Sequence, residues 1–408
     1  MTRLVPPSNS TTMLVMIFRC PLRLLFCLAV LMLWAQAASP VVAQFEKRRY
    51  HPRPESIPEA TDPSLVIDLS NLEKWDELPP FIDTTGFRTV VFGREDGEDY
   101  ELLSSVADIA TDGKGTIFIL DALPGTGAAS TAKTVHVIDA EANYLGSFGQ
   151  TGEGLGEFRY PRFLMVADEG NTVLVAGSDP RVVVFKRTES GTFEFDKNLR
   201  TRTVASGACL MRGHFYVVRY LASSGHVIHK YTMDGDYVTG FGAPYEYDNP
   251  GVVSFISDGA WISCNEDHGV VAISHYSIPV IRAYNEEGDQ LWVVRVEGIR
   301  NGLEITEGQG RTTVHSPRDR SGKGRGFLRV SEAFGDGWFY LSASKELGDD
   351  RRRVLTFRID PETGAYTHVG SGGVHSITGA DLLVQRRYAD NEDGTKTLQV
   401  VIRSQKED

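Results

Sequence analysis

VADIATDGKGTIFILDA (Val106–Ala122), followed after a loop by VHVIDAEANYLGSFG (Val135–Gly149) and then by GEGLGEFRYPR (Gly152–Arg162), holds short runs of Val, Ile, Leu, Phe and Tyr between clusters of Gly, Asp and Asn. Runs of this length, rich in branched and aromatic residues, fit strands, and the Gly, Asp and Asn clusters fit the turns between them. Four such strands in succession make an antiparallel meander, and the rest of the chain repeats it.

The repeat shows in its turns. Glycines expected between the first and second strands fall at Gly115, Gly170, Gly213, Gly259, Gly337 and Gly379, spaced by 55, 43, 46, 78 and 42 residues. The turns expected between the third and fourth strands fall at Ala142, Gly191, Gly235, Gly288 and Gly364, spaced by 49, 44, 53 and 76. Both series stretch at one place. The surplus matches Ile299–Arg325, which has little strand pattern and reads as an insertion between the fourth and fifth repeats. After Gly373 only three strands remain, at Val374–Thr378, Leu382–Tyr388 and Thr397–Ile402. Phe87–Gly93 can supply a fourth, joining the chain ends and removing an open edge. The expected fold is therefore all-β: a six-bladed β-propeller of four-stranded antiparallel blades over 81–408, with an N-terminal strand closing the last blade and the insertion at 299–325.

Upstream, Arg19 and Arg23 precede an apolar run from Leu24 to Trp34 and the small residues Ala35-Gln36-Ala37. That is a signal peptide over 1–37, with cleavage as late as 43 the alternative. The run is short for a bilayer span, so no transmembrane span is expected after cleavage; an uncleaved signal would anchor the chain. Residues 44–80 carry six prolines and one apolar run, Leu65–Leu69, and read as a Pro-rich arm packing partly on the main body.

The net charge is −12, and removing residues 1–37 takes away Arg3, Arg19 and Arg23, giving −15. Such a chain repels phosphate backbones, which argues against nucleic acid. Of four cysteines, Cys20 and Cys27 fall in the removable segment. Cys209 and Cys264 sit in strand-like runs and are expected as buried thiols, with a disulfide between them the alternative.

Several residues carry a resemblance. Gly156-Glu157-Phe158-Arg159-Tyr160-Pro161, Gly170-Asn171, Asp121 and Arg181-Val182-Val183-Val184-Phe185 resemble the Gly-x-Phe-x-x-Pro, glycine turn, terminal Asp and Arg-Val-x-Val-Phe elements of NHL-repeat and related six-bladed propellers. The likeness is sharp in the first two blades. Gly177 stands where the pattern repeats Asp121, and later blades depart further. Some propellers of this kind are metal-dependent lactonases, lyases or other hydrolases with the ion at the channel mouth, so the resemblance leaves an enzyme open.

In a four-stranded blade, the links between blades and between second and third strands share one face, and the other two turns share the opposite face. The long loops expected at Leu123–Lys133, Asn265–Pro279, Ile299–Arg325 and Lys345–Arg353 all fall on the first face, where binding is expected. There Arg311, Arg318, Arg320, Lys323 and Arg325, with Arg351, Arg352 and Arg353, could grip an anionic ligand through bidentate guanidinium contacts; a solvated charged loop is the plainer reading. Glu266, Asp267, His268 and His275 could make an oxygen-and-nitrogen metal site, although no ligand spacing supports it. Gly152–Gly156 leads into a strand and not a helix, so it implies no phosphate cradle.

The reading is a secreted or periplasmic monomer acting as a binding scaffold through its long-loop face, with an unknown protein or anionic ligand as partner and no cofactor. The alternative is a metal-dependent propeller enzyme, using calcium or zinc. Two or more carboxylates or histidines converging on the channel from different blades would mark the enzyme.

Overall fold

The second strand of each blade explains why these apolar runs are so unbroken. In Ile117–Asp121 every residue is buried. Ile117 and Ile119 pack with Phe92, Val384, Val400 and Ile402 of the last blade, while Phe118 and Leu120 pack with Phe158, Leu164, Val173 and Val175 toward the second. Side chains alternate across a strand, and each blade is a slab between two others, so both faces must be apolar. The outer strand Phe193–Arg200, with one edge free, returns instead to alternating half-buried and exposed residues.

These contacts come from a computed structural model, which describes residues 46–50, 58–70, 87–122, 133–246, 249–275, 278–298, 303–308, 311–315, 327–332, 337–346, 352–371, 382–391 and 396–404. The chain divides into two compact units: Lys47–Thr306 with Thr312–Asp408, and Met1–Glu46 with Glu307–Arg311. The larger is a six-bladed propeller. From the channel outward its blades are Val106–Thr111, Ile117–Asp121, Lys133–Ile138 and Tyr144–Thr151; Pro161–Ala167, Thr172–Gly177, Arg181–Arg187 and Phe193–Arg200; Gly207–Met211, His214–Leu221, His226–Thr232 and Tyr237–Phe241; Ala260–Asn265, Val270–His275, Val280–Tyr284 and Gln290–Glu297; and Phe327–Glu332, Phe339–Glu346, Arg352–Ile359 and Tyr366–Ser371. In the sixth, Leu382–Asp390 pairs with Lys396–Ser404, which pairs antiparallel with Arg88–Phe92, setting Val400 opposite Phe92 and Ser404 opposite Arg88. The N-terminal strand closes the last blade as expected; Val374–Thr378 and Gly379 lie outside the described residues.

Two blades carry a fifth strand. Glu157–Phe158 adds in parallel to the first. Val66–Asp68 adds in parallel to the outer strand of the fourth, opposite Arg295–Glu297. The apolar run of the N-terminal arm is thus part of the core: Leu65, Ile67 and Leu69 are buried with Trp292, Leu341 and Phe357 between the fourth and fifth blades. Tyr366 Oη donates to the Val66 carbonyl at 2.7 Å.

Three expectations are corrected. Gly259 is expected to turn the first strand of the fourth blade into the second, but it follows an α-helix, Pro250–Asp258. The inner strand of the fourth blade is Ala260–Asn265, and its turn is Glu266–Gly269. The insertion contains the strands Leu303–Gly308 and Arg311–His315. Finally, Cys209 and Cys264 are not free thiols. They form a disulfide, Cα–Cα 5.7 Å, between the inner strands of the third and fourth blades.

Candidate binding face

The two faces of the propeller are built differently. On one, the turns between first and second and between third and fourth strands are short and closed on themselves. Asp139 Oδ1 accepts from the amides of Glu141 and Asn143, and Asp360 Oδ1 from those of Glu362 and Thr363. In these two turns the aspartate is spent inside the turn.

Glu266, Asp267 and His268 lie on this face. The carbonyls of Glu266 and Asp267 accept from Arg212 Nε and Nη2, both at 2.8 Å, Arg212 also holds Glu286 at 2.6 Å, and His268 Nδ1 is 3.1 Å from Glu362 Oε1. The group latches three blades together. His275 stands at the far end of the strand Val270–His275, five residues and roughly 17 Å away, where it is fully buried. The structure therefore does not bring these four residues together. Of the arginine set, Arg318, Arg320, Lys323, Arg325 and Arg351 lie outside the described residues. Arg311 begins a strand of the insertion and Arg352 the third strand of the fifth blade. Arg353 is half-buried, opposite Lys345.

Across the described inner strands the only carboxylate or imidazole residues are Asp108 and Glu332. Asp108 is committed to structure: its oxygens accept from the amides of Ile109, at 3.0 Å, and Leu164, at 2.9 Å, tying the first blade to the second. No group of three His, Cys, Asp or Glu among the described residues is placed to hold a metal ion. His375 lies outside them.

The opposite face carries the links between blades, and they present apolar side chains to solvent. Large exposed hydrophobics among the described residues are Leu102, Leu145, Leu155, Tyr160, Val238, Phe255 and Tyr388. Leu102, Leu155, Tyr160 and Phe255 belong to blade-to-blade links, Leu145, Val238 and Tyr388 to strands, and none to the tight turns. Phe255 is displayed by the helix Pro250–Asp258. Asn249 caps it by accepting from the Gly251 amide at 2.9 Å, Pro250 begins it, and Val252 and Ile256 bury against Tyr245, Val280 and Val293. At the helix end Asp258 accepts from the Tyr220 amide at 2.7 Å and faces Arg219 Nε at 3.1 Å. Burial nevertheless pushes its carboxyl up.

The charged residues of the sequence point to this face, whereas its exposed apolar residues carry little sequence signal. The available signals were an isolated leucine between Gly154 and Gly156 and a tyrosine immediately before Pro161.

No family model matches the chain, and no curated protein matches it. Among solved structures it is similar to a Bacteroides fragilis protein provisionally described as exported, at 12% identity over 83% of this chain and 98% of that one, TM-score 0.49. It is also similar to a member of the DUF4221 family from Bacteroides vulgatus, at 9% identity over 78% and 96%, TM-score 0.49. A third, the WD40 repeats of RRP9, matches at 9% over 77% and 97%, TM-score 0.44. At these identities the likeness says nothing of activity or partner.

Proposed function

We propose that this chain is an exported scaffold that binds a protein partner through the face formed by its blade links. The observation that carries the reading is that Leu102, Leu155, Tyr160 and Phe255 are exposed in links between blades, which share one face. Exposed leucine and aromatic side chains cost solubility and supply contact energy when covered. The alternative, a metal-dependent enzyme, needs acids or histidines converging on the channel from different blades. Export is supported by the signal-like run before Ala37 and by the Cys209–Cys264 disulfide, a bond that persists in oxidising compartments.

The test is selection of a phage-displayed random peptide library on the purified full chain, with the bound footprint read by amide hydrogen exchange. Protection is expected in the links 93–105, 152–160, 201–206 and 242–259. A footprint on the tight turns or the outer strands would overturn the reading.

A further inference from the structure

The link between the first and second blades is built unlike the other described links. We propose that Gly152–Arg162 is a preformed docking site for an extended acidic peptide segment of a partner protein, with Leu155 and Tyr160 as apolar anchors and Arg159 and Arg162 as the charges that read the acid. The proposal rests on the link-face reading above and assigns it a location and a chemistry.

The first observation is rigidity where a surface loop has no need of it. Gly152 N donates to Phe158 O at 2.8 Å and Glu157 N to Gly154 O at 3.3 Å. The Glu157 carboxylate turns back into the loop, accepting from the Gly154 amide at 2.8 Å and from Gln150 Nε2 at 2.7 Å. Those hydrogen bonds, the Gly154 amide first, hold it below the usual carboxylate range, so it braces the loop as an anion at neutral pH. A Cβ on Gly152 would fall on that carboxylate. Phe158 anchors the base, 2% exposed and packed on Phe185, and Arg181 Nη1 ties the Glu153 carbonyl at 3.3 Å. On this frame Leu155 is 79% exposed, the most exposed large hydrophobic among the described residues.

The second observation is strain. Tyr160 is 64% exposed at φ 49°, a left-handed backbone region that a non-glycine residue seldom adopts. The other described non-glycine residues at positive φ, Ala142, Asp168, Glu169 and Arg212, all form tight turns on the opposite face. The neighbouring strand permits the pose. In the first blade the second strand ends in Asp121, whose oxygens clamp the preceding link through the amides of Ser104, at 2.8 Å, and Ser105, at 2.7 Å. In the second blade that position is Gly177. Its missing side chain lets the Tyr160 carbonyl sit where a Cβ would lie 2.4 Å away, and Ser178 N donates to that carbonyl at 3.2 Å. The carboxylate clamp has been exchanged for close backbone packing, and the residue thereby displayed is an aromatic.

Charge then selects the partner locally, on a chain that is acidic as a whole: Glu157 is turned into the loop onto Gln150 and Gly154, which leaves Glu153 against Arg159 and Arg162 on the exposed side. Arg162 is exposed and makes no ion pair among the described residues. Arg159 meets only Glu153, at 3.1 Å with both side chains largely in solvent, a contact weak enough to exchange for a partner's carboxylate. Tyrosine and arginine are enriched among residues that carry binding energy, exposed leucine adds apolar area to be covered, and the two anchors are five positions apart, a span of at most about 18 Å. An extended segment of about six residues covers it. Because the loop is already ordered, little entropy is lost on docking.

The test titrates two fluorescein-labelled pools of peptides of about 12 residues by anisotropy. One alternates Asp or Glu with Leu or Phe; the other replaces the acids with Lys. The expected result is binding of the acidic pool only, weakened by salt, at least tenfold weaker for Leu155→Ser/Tyr160→Ser and several-fold weaker for Arg162→Glu, with unchanged melting temperatures. Equal binding of both pools, an unaffected double variant, or no binding of the acidic pool at millimolar concentration would overturn it. Binding to anionic phosphatidylglycerol vesicles that the double variant abolishes, without peptide binding, would overturn it in favour of membrane docking. A library footprint elsewhere on the links would sink this site and leave the broader reading standing.

Discussion

His275 shows how much of one residue's behaviour is set by what packs around it. It is fully buried. Nδ1 lies 3.1 Å from the Ile256 carbonyl of the link helix, Nε2 lies 3.4 Å from Arg282 Nη2, and the Tyr245 ring meets it edge-on at 4.8 Å. Arg282 is itself buried, donates to the Ala243 carbonyl at 2.7 Å, and stacks its guanidinium over Tyr245. Burial first, and the neighbouring guanidinium second, hold the imidazole well below its ordinary value; burial likewise pushes the Tyr245 phenol up to about 12. The folded chain therefore keeps His275 neutral while the unfolded chain protonates it near pH 6.5. Its contribution to stability is complete above that value and is lost as pH falls below it, at about 1.4 kcal/mol per pH unit until the folded group also titrates. Urea unfolding at pH 7.5 and 5.5 should show His275→Asn less stable than wild type at the higher pH, with the gap narrowing at the lower. A gap independent of pH would show that His275 is protonated alike in both states. None of this was legible in the sequence, where His275 stands seven residues from His268 and invites a metal reading; the intervening strand carries the two to opposite faces.

At the scale of elements, a turn-by-turn reading succeeds where glycine is needed for conformation and fails where composition alone speaks. Gly115, Gly170, Gly213 and Gly337 all adopt positive φ, which is why their spacing reports the blades. Gly259 does not, and the turn between the first two strands of the fourth blade belongs to Gly269, at φ 67°. The run Val252-Val253-Ser254-Phe255-Ile256 has strand composition, but Asn249-Pro250 is a helix start, and the capping signal outweighs β-branching in a link with no neighbouring strand to pair with. Cys209 and Cys264 were likewise read each in its own strand. Only the placement of the two inner strands side by side brings them together, 55 residues apart in sequence. Closing a loop of that length removes about 4 kcal/mol of unfolded-state entropy in the chain-entropy account. Cys209→Ala/Cys264→Ala should accordingly unfold at lower urea than wild type, and reductant should reproduce the loss in wild type while leaving the variant unmoved. A loss below about 1 kcal/mol would mean that the adjoining blades hold these strands without the bond.

Across the whole molecule, closure joins residues far apart in sequence. Arg88–Phe92 completes the last blade from the N-terminal side, while the upstream segment Val66–Asp68 straps the outer edge of the fourth. The first pairing was legible, because three strands in a blade of four leave an open edge; the second was not, since a three-residue strand leaves no periodic signal. If the ring is one cooperative body, damage at the clasp must be felt in distant blades. Phe92 is 2% exposed and packs with Val106, Leu398 and Val400, so Phe92→Ala should cost about 3–5 kcal/mol. The described tryptophans, Trp261, Trp292 and Trp338, lie in the fourth and fifth blades, away from that contact, and Trp292 is fully buried there. In a Trp34→Phe/Trp75→Phe background their fluorescence therefore reports on the fourth and fifth blades while far-UV circular dichroism follows the whole sheet content. In Phe92→Ala both transitions should move to lower urea by the same amount. A tryptophan transition that stays at the wild-type midpoint while the dichroism shifts would show that the last blade opens alone and that the ring unfolds blade by blade.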